Sequence, residues 1–378
     1  MTPNTLIELL LNNDHKFITG VPDSIFKHLI IEVNKDTRFE HVITNNEGES
    51  CALAAGYHLA TGKTPIVYLQ NSGLGNTINP LTSLLDEYIY SIPTLLLIGW
   101  RAVPGEKDEP QHKRMGAITP ELLNLLGIPY AIAESDTEMM ELIFQKAQTH
   151  FDTHKKPYAI LFPRDTIKPE KTKKQEEAIP KNSILREELL ELIVKNGSDN
   201  DVIITTTGKT SRELYEIRER LGQNHARDFL TVGSMGCAAT IALGVAMQKK
   251  DRRVILVDGD GACLMRMEAL ATIGHVQPDN LLHILVDNNA YESTGSQKTL
   301  SDSVDFATIA KACNYRSSMT TDNLPEFTQA LIQFDKGPSM LVVKSYPYSR
   351  PDLGRPKTTP IENKVAFMQQ LGSTTCKQ

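Results

Sequence analysis

Short apolar runs recur along the chain, with helical patterns between them. In the first half they are Phe17–Thr19, Val42–Thr44, Ile66–Leu69, Leu95–Ile98 and Ala159–Phe162. In the second half they are Val202–Thr205, Val254–Val257, Leu282–Val286 and Met340–Val343. Runs that are apolar throughout, instead of at every second position, predict strands buried on both faces. Such strands belong to parallel sheets covered by helices. Each half therefore reads as a doubly wound α/β unit, a fold class in which helices flank both faces of a parallel sheet. The N-terminal stretch MTPNTLIELLLNNDHKF reads as a short amphipathic helix. It lacks the basic start and long apolar run of a signal peptide, and no segment is long and apolar enough to span a bilayer.

The helical and strand patterns stop between Lys168 and Lys181, where the sequence is KPEKTKKQEEAIPK. This reads as an exposed linker, with a solvated helix around Lys173–Glu177 as an equal alternative. A chain of 378 residues exceeds what one core usually supports. The expected organisation is a first domain over 1–167, a linker over 168–182 and a second domain over 183–378. The net charge of -6 disfavours nucleic acid as a partner. It leaves room for a small anionic substrate, because a local group of Arg and Lys can oppose the global sign. Five scattered cysteines without a CxxC pair fit a reduced, cytoplasmic protein.

Candidate chemistry sits at two predicted strand ends of the second half. Gly259-Asp260-Gly261 follows one buried run, and Asn288-Asn289 closes the next. Ligands of parallel sheets bind beyond the carboxyl ends of strands. Asp260 offers a carboxylate, Asn288 a side-chain carbonyl and Ala290 a backbone carbonyl, the oxygen donors that a hard cation such as magnesium takes. The glycines let backbone approach phosphates, and a helix starting near Ala262 aims N–H groups at them. Taken singly, Asn288 also suits an Asx turn.

GDG followed some two dozen residues later by NN resembles the signature of the thiamine diphosphate-dependent 2-oxo acid decarboxylase family. Ala262 stands where many members have Ser, so a hydroxyl contact is absent there. Gly233-Ser234-Met235-Gly236 is similar to the family's GSxG segment, which implies Met235 as the wedge that bends the cofactor and the Gly233 carbonyl as an acceptor. Thr207-Gly208-Lys209 matches the usual place of diphosphate contacts, and Tyr291 falls in the cofactor-binding run. The segment around Glu47, nine residues before Gly56-Tyr57, resembles the family's glutamate helix. That implies Glu47 as the carboxylate against the pyrimidine ring; Glu49 competes with the wrong spacing. The resemblance implies a pyrimidine-binding domain and a diphosphate-binding domain without a middle domain. It also implies thiamine diphosphate and Mg2+ as cofactors, and a homodimer at minimum, with active sites between subunits.

Within the family, the two-domain length resembles the phosphonopyruvate and sulfopyruvate decarboxylases. Gly20-Val21-Pro22-Asp23-Ser24, the loop Gly99–Gly116, Glu292–Gln297 and Asp352–Lys364 resemble the phosphonate branch. The expected reaction is loss of carbon dioxide from 3-phosphonopyruvate, a small 2-oxo acid, in phosphonate biosynthesis. Alternatives are a sulfonate substrate, a carboligase, or a silent protein that keeps the cofactor for structure. Candidate donors to the distal anion are Arg101, Lys107, His112, Arg350 and Arg355, since arginine suits tetrahedral oxyanions. His112 and Ser24 fall where related decarboxylases place proton-transfer groups, and histidine has a pKa suited to proton transfer near neutrality.

Overall fold

The computed structural model describes residues 1–168 and 179–373. Most of the expected linker, including Lys173–Glu177, lies outside the described residues, as does Cys376. The chain forms two compact units. The first holds the described residues up to 168 together with Thr294–Gln297; the second holds the rest.

The first unit is a parallel sheet of six strands: β1 Phe17–Gly20, β2 Glu40–Ile43, β3 Ile66–Gln70, β4 Leu95–Trp100, β5 Tyr130–Ile132 and β6 Tyr158–Pro163. Their order is β2-β1-β3-β4-β6-β5. Its helices are α1 Pro3–Asn12, α2 Lys27–Val33, α3 Glu47–Thr61, α4 Leu74–Ser83, α5 Pro110–Leu125 and α6 Thr137–His154. The second unit repeats the scheme with β7 Val202–Thr205, β8 Asp228–Leu230, β9 Val254–Gly259, β10 Leu281–Asp287, β11 Ser317–Thr321 and β12 Ser339–Lys344, in the order β11-β12-β10-β9-β7-β8. Its helices are α7 Arg186–Asn196, α8 Lys209–Arg220, α9 Ala238–Gln248, α10 Asp260–Met265, α11 Glu268–Val276, α12 Phe306–Ala312, α13 Leu324–Ile332 and α14 Pro360–Gln370.

Val42–Thr44 departs from the expectation of two-sided burial, because its strand β2 is an edge strand whose residues are exposed or partly buried; the other continuous apolar runs have the cause expected of them. In the first unit Ile66, Tyr68, Leu95, Leu97 and Ile160 pack into one core, while the alternate residues Val67, Leu69, Leu96, Ile98 and Leu161 pack into another. In the second unit Val202, Ile204, Val254 and Leu256 face one core, and Ile203, Ile255 and Val257 the opposite one. Two-sided burial removes the polar alternation of a half-wet sheet.

Three strands escape the apolar-run reading: β5, β8 and β11. All three lie at sheet edges. β11 reads SSMTT and is largely uncovered, and β5 is only partly buried. The helix expected near Ala262 begins at Asp260, with Gly259 as its N-cap. None of the described helices is long and apolar enough to cross a membrane.

Candidate active site

In the first unit the polar residues of interest gather beyond the carboxyl ends of β1, β3 and β4, which are neighbours in the sheet. Glu47 is the first residue of α3, behind the N-cap Asn46, whose side chain accepts the Gly48 N–H. The Glu47 side chain is buried. Its Oε2 accepts a 2.7 Å hydrogen bond from Asn76 Nδ2. A Cβ on Gly73 would overlap Oε1, so glycine there makes the room this carboxylate occupies. Glu49 instead accepts from the Asn45 N–H at the exposed helix start, which leaves it out of the pocket. Tyr57 stacks on Phe17, with ring centroids 4.4 Å apart. The Gly56-Tyr57 part of the pattern therefore docks α3 on β1.

Ser24, Arg101 and His112 are brought together. Arg101 Nη1 donates to Ser24 Oγ at 3.1 Å, while Nε and Nη2 grip both oxygens of Asp108. Burial works upward on Asp108, yet these bonds hold its carboxyl below the usual range. Burial, aided by the Arg101 charge, pushes His112 down to about 4. This departs from the expectation of a histidine titrating near neutrality: in the protein by itself His112 is neutral at pH 7. Its Nδ1 is buried without a hydrogen-bond partner. Lys107 is exposed.

Asp23, beside Ser24, had no assigned part. It is fully buried, and burial raises its pKa. Gln70 donates to one of its oxygens at 2.7 Å, and Ser72 donates to Gln70 at 2.9 Å. Sequence offered no signal for this chain, because Gln70 and Asp23 meet only once the strands pair.

In the second unit the expected motifs converge. Thr207 Oγ1 accepts the Gly233 N–H at 2.9 Å, joining the TGK and GSMG segments. Gly208, Gly233 and Gly236 have φ of 100°, 74° and 86°, the region that favours glycine. A Cβ on Gly236 would press on Arg266 and the Ala262 carbonyl, and one on Gly261 would strike the Tyr291 ring. Met235 is half-buried in the same turn. Thr299 donates to Asp260 Oδ2 at 2.5 Å and lies 3.2 Å from Asn289 Oδ1. Burial, with a contribution from the Asp287 carboxylate, pushes Asp260 up to about 6.

Asn288 forms the Asx turn that its sequence also allowed: Oδ1 accepts the Ala290 N–H at 3.1 Å, and Nδ2 donates to Glu292 at 3.1 Å. Lys209 Nζ lies 3.7 Å from Glu292. Among the described residues, no three of His, Cys, Asp and Glu cluster as a metal site. One carboxylate with an amide oxygen and a backbone carbonyl remains a donor set for a hard cation. The Thr206 hydroxyl, buried without a hydrogen-bond partner at the end of β7, and the open glycine backbone fit a diphosphate.

The two arginines of the C-terminal segment differ. Arg350 Nε meets Glu187, Nη1 meets Asp352 and Nη2 meets Glu216, so all three nitrogens face carboxylates. Arg212 of α8 donates to the Leu353 and Gly354 carbonyls of the same segment. Arg355 is exposed.

Comparison with known proteins shows the family of the chain. The model of the thiamine pyrophosphate enzyme N-terminal TPP binding domain matches residues 2–123, and that of the C-terminal TPP binding domain matches 206–343. The chain is 37% identical over 360 residues to a phosphonopyruvate decarboxylase of Streptomyces viridochromogenes, covering 91% of this chain and 88% of the relative. It is 29% identical over 348 residues to a sulfopyruvate decarboxylase of Methanosarcina acetivorans, covering 87% of each. A sulfopyruvate decarboxylase subunit beta of Methanocaldococcus jannaschii is 33% identical over 189 residues, which are 49% of this chain and 96% of that subunit. The chain belongs to the phosphonopyruvate decarboxylase family of thiamine pyrophosphate enzymes.

Proposed function

We propose that the protein decarboxylates 3-phosphonopyruvate to phosphonoacetaldehyde and carbon dioxide, with thiamine diphosphate and Mg2+, as a step of phosphonate biosynthesis, and that it works as a homodimer at minimum. The observation that carries this reading is the 37% identity extending over 88% of a phosphonopyruvate decarboxylase. When bound, thiamine diphosphate would supply the electron sink that takes up the bonding pair left behind when the carboxylate group of a 2-oxo acid departs as carbon dioxide.

The chain's own residues divide the remaining work. Asp260, the Asn288 carbonyl oxygen and the Ala290 backbone carbonyl hold the cation. Thr207, Gly208, Lys209 and Gly259–Ala262 hold the diphosphate, and Gly233, Met235 and Tyr291 the rings. Glu47, aimed by Asn76 and by the gap at Gly73, moves the activating proton at its carboxylate. Arg101 takes the distal anion: its side chain is largely buried, Asp108 fixes its fork, and Nη1 stays turned toward Ser24. Ser24 and His112 accept or return protons beside it. An anionic substrate would raise the pKa of His112 from its low resting value, so that more of the ring carries a proton to give when substrate is present.

Carbon dioxide release measured side by side from phosphonopyruvate, sulfopyruvate and pyruvate tests the reading. The expected result is a kcat/KM highest for phosphonopyruvate by at least about 10²-fold, the discrimination an anion-matched pocket supplies. Faster turnover of sulfopyruvate would reassign the substrate, and no decarboxylation of any of the three would overturn the proposal.

A further inference from the structure

Glu292 is the buried centre of an ion network in the second unit. Its Oε2 accepts from Arg186 Nη1 and from Asn288 Nδ2 at 3.1 Å. Its Oε1 accepts the Ser349 hydroxyl at 3.1 Å and lies 3.7 Å from Lys209 Nζ. Arg186 is held in turn by both oxygens of Glu213, at 2.8 and 2.7 Å, and donates to Ser349 at 2.8 Å. The Glu292 and Arg186 side chains are 6% and 7% exposed. A carboxylate so enclosed and so fully bonded has one available orientation.

We propose that Glu292 is a positioning residue for Asn288, setting which face of its amide meets the cation. The inference rests on the reading of Asn288 as a ligand. An amide has a donor end and an acceptor end, and they cannot exchange freely here. Flipping Asn288 would turn Oδ1 onto the Glu292 carboxylate and Nδ2 onto the Ala290 N–H, two repulsive contacts in place of two hydrogen bonds. Glu292 therefore selects the rotamer before any cation arrives. Oδ1, which accepts one hydrogen bond from Ala290, keeps a second lone pair for a metal. Partners one shell out from a metal ligand typically govern metal affinity by 10- to 100-fold. The same carboxylate faces Lys209, so it reaches two of the residues assigned to the cofactor.

Two isosteric variants separate orientation from charge. Glu292→Gln and Glu292→Met both lose the negative charge, but only Gln keeps an oxygen for Asn288 and Arg186; its nitrogen can donate to the Ser349 hydroxyl. The measurement is the Mg2+ concentration that half-saturates thiamine diphosphate binding, read by titration calorimetry. E292Q is expected within about threefold of the parent, and E292M to need at least about 10-fold more Mg2+. Equal shifts in the two variants would reduce Glu292 to a charge and overturn the proposal, as would no shift in E292M. The metal-free parent gives a reading that depends on no variant: the Asn288 side-chain amide protons must be protected from exchange, and exchange at the free rate overturns the proposal. Asp260→Ala, run in the same titration, tests the underlying site separately. If it binds cofactor with the parent's metal dependence, the site itself is misassigned, whatever Glu292 does.

Discussion

At the scale of single residues, the site depends on space and charge left for particular carboxylates and rings. Glu47 occupies volume that a Gly73 side chain would claim. Glu47→Gln should keep the fold while slowing exchange of the cofactor's C2 proton by about 10²–10⁴-fold, the range for a lost acid–base partner. Gly73→Ala keeps the acid but displaces it, and a misplacement of this kind costs on the order of 10²-fold. NMR of the acid-quenched cofactor reads both; parental exchange in either variant would contradict the arrangement. His112 gives a pH signature. Its pKa lies near 4 folded and near 6.5 unfolded, so the unfolded chain binds the extra proton between those values and stability is lost there as pH falls. His112→Asn removes that loss. Denaturant titrations should show the variant gaining on the parent as pH drops from about 6.5 to about 4, and no change in the gap above about 7. Glu47, Asp260 and Asn288 could be singled out in the sequence because each lies in a short motif that resembles the family's. Asp23, Asp108 and Glu292 were not, because what marks them is burial beside distant partners such as Gln70, Arg101 and Arg186.

At the scale of elements, α7 and α8 grip the segment before α14. Glu187 and Glu216 hold Arg350, Glu216 accepts the Gly354 N–H at 2.5 Å, and Arg212 holds two carbonyls. Arg350 and Arg101 should therefore answer differently to alanine. Arg101→Ala should lower kcat/KM for phosphonopyruvate by on the order of 10²-fold, equivalent to ~3 kcal/mol, while pyruvate turnover changes little. Arg350→Ala should leave the ratio between the two substrates within about threefold and instead speed amide exchange over residues 349–354, since it releases a clamp. An unchanged ratio in Arg101→Ala would move the anion pocket elsewhere. The elements themselves were legible wherever helices cover both faces of a strand, and also at the edge strand β2, which keeps the short apolar pair Val42-Ile43. β5, β8 and β11 were hidden because an edge strand needs no continuous apolar run.

At the scale of the whole molecule, each half carries its own pair of cores. The clusters around Ile66 and Val67 draw on residues up to Ile167, and those around Val202 and Ile203 on residues from Ile184 onward. No hydrophobic core among the described residues spans both halves. In terms of gene architecture, this makes the polypeptide divisible: a stop and a new start between Lys168 and Ile179 would cut through neither core. Co-expressing 1–168 and 179–378 as two genes should yield two soluble, folded chains, each with its own cooperative melt when purified apart. A half that stays unfolded alone would show that it relies on its neighbour. For this fold, fusion and fission are then changes in how one set of cores is transcribed, and leave the packing of each core alone.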